Sequence, residues 1–123
     1  MPKLDKKILL REDDEMISEI YRRQLEKAGY MVEVVTETEQ AIEKIKKEEP
    51  ALVLMDLLIS GGGGMEILKR LKDWKGKTKK VIFSNEQDND LVQEAAVLGA
   101  DGFWLKSNYT PSQLLAKVNE ILA

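Results

Sequence analysis

The sequence predicts an α/β fold, a doubly wound parallel sheet of five strands, and three observations predict it. Short apolar runs recur five times along the 123 residues. Four of them lack the polar alternation of a sheet wetted on one side, and each is followed by a segment with helical spacing. Strands buried on both faces need helices above and below them, and right-handed crossovers turn the alternation into such a sheet.

Ile8-Leu9-Leu10 is the first run. Ile17, Ile20, Tyr21, Leu25 and Ala28 then form one helical stripe, with Asp14 as a plausible N-cap and Gly29 as the C-terminal stop. Met31-Val32-Glu33-Val34-Val35 is the second run. Thr36-Glu37-Thr38-Glu39 offers a Thr36/Glu39 capping box for a helix that buries Ala41, Ile42 and Ile45 and stops before Pro50. Ala51-Leu52-Val53-Leu54-Met55 is the third run, followed by a helix carrying Met65, Leu68 and Leu71. Val81-Ile82-Phe83 precedes a helix with Leu91, Ala95 and Leu98, closed at Gly99. Phe103-Trp104-Leu105 precedes the best-marked helix, where Thr110 caps, Pro111 fits the first position and Gln113 completes a box ahead of Leu114, Leu115, Val118, Ile121 and Leu122. No repeat or linker interrupts the pattern, and residues 1–123 read as a single domain.

Composition removes much chemistry. With no Cys and no His, a disulfide framework, a thiolate site, a Cys nucleophile and imidazole acid/base work are all excluded. Nineteen Lys and Arg against 22 Asp and Glu give a net charge of −3, without the basic excess that direct nucleic-acid binding depends on. No stretch approaches the roughly 20 apolar residues of a membrane span. A cytoplasmic protein with no membrane partner is expected.

Open parallel sheets bind ligands beyond the carboxyl ends of their strands. The residues there are Glu12-Asp13-Asp14 after the first run, Asp56 after the third, Ser84-Asn85 after the fourth and Lys106 after the fifth. Carboxylates so close raise one another's pKa unless a cation sits among them, and oxygen donors with water suit Mg²⁺. Taken singly, each residue has an ordinary reading: a strand-end turn for Asp56, a cap for Ser84, a solvated lysine for Lys106, core packing for Phe103 and Trp104.

Taken together, these residues resemble a response-regulator receiver domain, and the resemblance covers essentially the whole chain. It implies a flavodoxin-like strand order of 2-1-3-4-5. It also implies Mg²⁺ held by Glu12 and Asp13 with Asp56 and the backbone carbonyl of Leu58, and Asp56 as phosphoacceptor. Ser84 and Lys106 would contact the phosphoryl oxygens, and Phe103 would be the aromatic switch residue. The implied function is a stand-alone receiver, not an enzyme in the ordinary sense, that assists its own Mg²⁺-dependent phosphorylation and dephosphorylation. Its donor would be a phosphohistidine on a sensor histidine kinase or phosphotransfer protein. Its output would be a changed surface at the fourth helix, fifth strand and fifth helix, read by a downstream protein, with the chain a monomer or a phosphorylation-dependent homodimer.

Three positions depart from the family pattern. Arg11 stands where an apolar residue is usual, in a strand expected to be buried, and needs an acid or solvent. We expect it to reach the acidic cluster, where it competes with Mg²⁺, or a carboxylate of a neighbouring helix. Ser60-Gly61-Gly62-Gly63-Gly64 replaces the usual Pro and acidic residue, and reads as a flexible loop beside the site. Ser107 replaces the Pro that often follows the Lys, which argues against a cis bond there. A degenerate receiver acting as a constitutive scaffold is the alternative. A flavin protein of similar sheet is disfavoured because the loop after the first strand is acidic and repels phosphate.

Overall fold

The computed structural model describes residues 6–57, 63–86 and 88–123. Five strands, β1 (Lys7–Arg11), β2 (Met31–Val35), β3 (Leu52–Met55), β4 (Lys79–Ser84) and β5 (Gly102–Leu105), alternate with five helices. These are α1 (Glu15–Lys27), α2 (Thr38–Glu48), α3 (Gly64–Arg70), α4 (Asn89–Val97) and α5 (Pro111–Ile121). All strand pairs are parallel and the order is β2-β1-β3-β4-β5, as the sequence predicts.

Alternation along each strand divides the core into two layers. Leu9, Val53, Met55 and Ile82 pack with Ala41, Ile42 and Ile45 of α2, Ile67 and Leu68 of α3 and Ala95 of α4. Ile8, Leu10, Leu54, Val81, Phe83 and Trp104 pack with Leu25 of α1 and with Leu114 and Val118 of α5. The middles of the central strands are apolar because both faces are covered, with polar residues such as Arg11 and Ser84 only at the ends of β1 and β4, and each fully buried aliphatic side chain contributes about 1.5–3 kcal/mol. β5 departs from that expectation: as an edge strand it leaves Gly102, Phe103 and Leu105 half-buried.

Local signals hold where no tertiary partner competes for them. Asp14 caps α1 by accepting from the Ile17 N–H at 3.0 Å, and Gly29 takes a φ of 102°. Thr110 and Gln113 form the reciprocal capping box with Pro111 at the first turn of α5. The Thr36/Glu39 box does not form. α2 starts at Thr38 behind Glu37 with no side-chain cap, because the Thr38 hydroxyl accepts from Arg11 and Glu39 is drawn to Arg70 of α3. On α1 the buried line runs through Ser18 and Leu25, with Tyr21 packed beside it. Ile20 is 48% exposed and faces solvent with Met16. No peptide bond among the described residues is cis, so Lys106–Ser107 is trans. Among the described residues no helix is long and apolar enough to cross a membrane.

Glu33 links the edge strand to its neighbours, accepting from Lys44 at 2.6 Å and Lys7 at 2.7 Å. The Lys44 hydrogen bond first, then that of Lys7, holds its carboxyl below the ordinary glutamate value of 4.5. A depressed carboxylate stabilises the fold above its unfolded pKa and loses that contribution as pH falls through the lower folded value. Glu33→Gln should therefore lower stability at neutral pH and flatten its loss below pH 4.5, as read by urea unfolding across that range. Thr110→Ala removes a cap with both halves in place and should cost about 1 kcal/mol, seen as a lower urea midpoint at unchanged slope.

Candidate functional site

Register levels the strand ends. Arg11 of β1 pairs with Met55 of β3, and Ser84 of β4 with Leu105 of β5, so the residues that follow them meet at one edge. The Asp56 N–H donates to the Arg11 carbonyl at 3.1 Å, extending the ladder by one step into the site. The Asp56 carbonyl accepts from the Gly64 N–H at 2.7 Å.

Lys106 joins the acids. Its Nζ donates to Glu12 Oε1 at 2.6 Å and to Asp56 Oδ2 at 2.7 Å, and lies 5.7 Å from the centre of the Phe83 ring. Burial works against its charge, but the hydrogen bonds to Asp56 and Glu12 outweigh that, and its pKa stands above the ordinary lysine value of 10.5. The other Glu12 oxygen accepts from the Asp14 N–H at 3.1 Å. Glu12 is buried, whereas the Asp56 side chain keeps 18% exposure. The lysine is thus the buried inner wall of this trio, and Asp56 its more exposed acid.

Asp13 lies outside this trio. Arg11 holds it, donating from one terminal nitrogen to Asp13 Oδ1 at 2.7 Å, and the Asp13 side chain is 40% exposed. Ser84 ends β4 buried, with its Oγ accepting from the Glu86 N–H at 3.1 Å. Ile82 pairs with Phe103, and Ser84 follows Ile82 on the same face, so Ser84 and Phe103 both lie on the α4 side of the sheet. Phe103 lines a groove of about 240 Å³ there with Val92, Ala95, Ala96 and Ala100. Leu58 falls outside the described residues, as do Ser60, Gly61 and Gly62.

Among the described residues no three carboxylates converge to cage a metal ion. Mg²⁺ needs no such cage, since it takes one or two carboxylates and keeps several waters. Asp13 and Asp56, hard oxygen donors partly open to solvent, suit it chemically. Their charge is already partly met: Glu12, Asp13 and Asp56 face Lys106 and Arg11, a balance of one negative charge.

Two features escape the sequence reading. Thr38, as partner of Arg11, carries no sequence signal because the contact joins residues 27 positions apart. Gly63 and Gly64 are packing glycines as well as loop residues. A Cβ at Gly63 would stand 2.3 Å from the Leu57 carbonyl oxygen, and one at Gly64 2.4 Å from Ile82 Cδ1. The start of α3 lies that close to the backbone carrying Asp56.

Comparison with known proteins bears on the family and the fold. The family model described as response regulator receiver domain matches residues 8–119. The chain is 34% identical over 97 residues, 79% of its length and 78% of the relative's, to sporulation initiation phosphotransferase F of Bacillus subtilis. It is 29% identical over 97% of its length to the alkaline phosphatase synthesis transcriptional regulatory protein PhoP of the same organism, and spans 49% of that longer protein. A CheY-like response regulator receiver domain protein from Methanospirillum hungatei superposes with a TM-score of 0.86 at 28% identity, covering 95% of this chain and 93% of that one. A matched family model over nearly the whole chain and a relative of one-third identity place this protein in the response regulator receiver domain family.

Proposed function

We propose that this receiver accepts a phosphoryl group on Asp56 from a phosphohistidine of a sensor histidine kinase or phosphotransfer protein, and transmits the event through α4, β5 and α5. The observation that carries this reading is an accessible Asp56 backed by the buried, charged Lys106. An aspartate attacks phosphorus readily only where charge on both partners is neutralised. Lys106 does so from the inner side. Asp13 and Asp56, with Glu12 beside them and the Leu58 carbonyl that the family pattern adds, would form the Mg²⁺ site, and the ion would supply positive charge to the transferring oxygens when bound.

In the transfer the Asp56 oxygen forms a bond to phosphorus as the donor's P–N bond breaks. The imidazole leaves with that electron pair and takes a proton from solvent. The new phosphoryl oxygens are strong acceptors, and the Ser84 hydroxyl and Lys106 are the donors within their strands' reach. Moving Ser84 toward them vacates space on the α4 side, where Phe103 already borders a groove. The domain is a phosphorylated signalling module rather than an ordinary enzyme. It assists its own dephosphorylation by water in the cytoplasm, and its downstream protein target reads either a monomer or a phosphorylation-dependent homodimer. A constitutive scaffold is the second reading, favoured by one observation: Asp13 is already engaged by Arg11.

Intact-mass analysis with Mg²⁺ and a small-molecule phosphodonor separates the two. The parent should gain one phosphoryl group only when Mg²⁺ is present, and Asp56→Asn should gain none. No gain by a folded parent establishes the scaffold instead. Lys106→Met removes the positive charge from the inner wall and should slow phosphoryl uptake on the order of a hundredfold, followed as incorporation against time.

A further inference from the structure

Arg11 is the group that neither the fold nor the phosphoryl chemistry uses. It ends β1 on the side covered by α2, two residues beyond Leu9, and is only 1% exposed. A cation buried to that depth has to be paired. Asp13 is its single anionic partner among the described residues, at 2.7 Å. Its other terminal nitrogen reaches the Thr38 hydroxyl at 3.4 Å, and its Nε has no partner. The guanidinium therefore depends on Asp13, and Asp13 is also, with Asp56, one of the partly open acids that suit a divalent cation.

We propose that Arg11 is a built-in counter-ion that competes with the divalent cation for Asp13, holds metal affinity down, and passes metal occupancy to the first turn of α2 through Thr38. This rests on the reading of Glu12, Asp13 and Asp56 as the Mg²⁺ site. A dication arriving at Asp13 meets the guanidinium's charge at close range and draws electron density from the oxygen that the guanidinium needs. Filling the metal site then weakens the one ion pair that supports a buried cation. Thr38, the first residue of α2, is the partner left to it. The coupling is reciprocal: whatever strengthens the Arg11–Asp13 pair weakens metal binding by the same factor.

Calorimetric titration with Mg²⁺ alone, on the parent and on Arg11→Met, tests the competition. Loss of the guanidinium should tighten Mg²⁺ binding roughly tenfold or more, the scale on which partners of metal ligands act. The parent itself gives a second measurement that needs no substitution. Its Arg11 Nε–H resonance, assigned with Arg11→Lys, and its Thr38 amide should shift along the Mg²⁺ titration with the calorimetric affinity, and the Thr38 amide should stay still in Arg11→Met. Equal affinities in the two proteins, or an Arg11 resonance that does not move while Mg²⁺ saturates, overturns the proposal and leaves the metal site standing. No Mg²⁺ binding by either protein overturns the proposal and the metal reading together.

Discussion

The site depends on one buried ammonium. Glu12 and Asp56 stand at the ends of neighbouring parallel strands because β1 and β3 pair in register, with Arg11 opposite Met55. Left alone, two carboxylates brought to one edge would repel each other. Lys106 donates to both, from 94 residues away in one case and 50 in the other. The charge that neutralises the two acids also fastens the end of β5 to the ends of β1 and β3. Neutralisation of the acids and attachment of β5 therefore share one interaction.

The two layers of the sheet neutralise different acids. Lys106 approaches from the layer of Phe83, Tyr21 and α1, where Tyr21 meets the Phe83 ring edge-on at 5.2 Å. Arg11 approaches from the α2 layer and takes Asp13. An apolar residue at position 11 would leave Asp13 without this partner, whereas a guanidinium gives the acidic cluster a second internal cation. This chain thus carries more of its own positive charge at the site than the family pattern supplies. The cost is a buried charge with one nitrogen unsatisfied.

Legibility in the sequence tracks how local the cause is. Buried strands announce themselves because residues such as Leu52–Met55 must be apolar on both faces, and the α5 cap because Thr110, Pro111 and Gln113 satisfy one another within four positions. The Thr36/Glu39 box has the same local form and fails, since Glu39 is drawn to Arg70 and Thr38 to Arg11 across the fold. Ile20 fits the α1 stripe by spacing, but which face a helix turns inward is set by the neighbours it packs on. At the site, strand-end position locates Glu12, Asp56, Ser84 and Lys106 on one edge. It does not say that Glu12 spends an oxygen on Lys106, because that pairing is fixed by the depth of Glu12 and not by its type.

The same distinction explains why the glycine run reads differently in sequence and in space. Four successive glycines signal freedom in any chain, yet the last two are held to close contacts. Gly63 has the Leu57 carbonyl where a Cβ would be, and the Gly64 N–H is bonded to the Asp56 carbonyl. A side chain at either position would push α3 away from the backbone that carries Asp56. Asp56 is thereby braced at three points by unlike means, one on its side chain and two on its backbone. Lys106 holds its oxygen, the Arg11 carbonyl its N–H, and Gly64 its carbonyl.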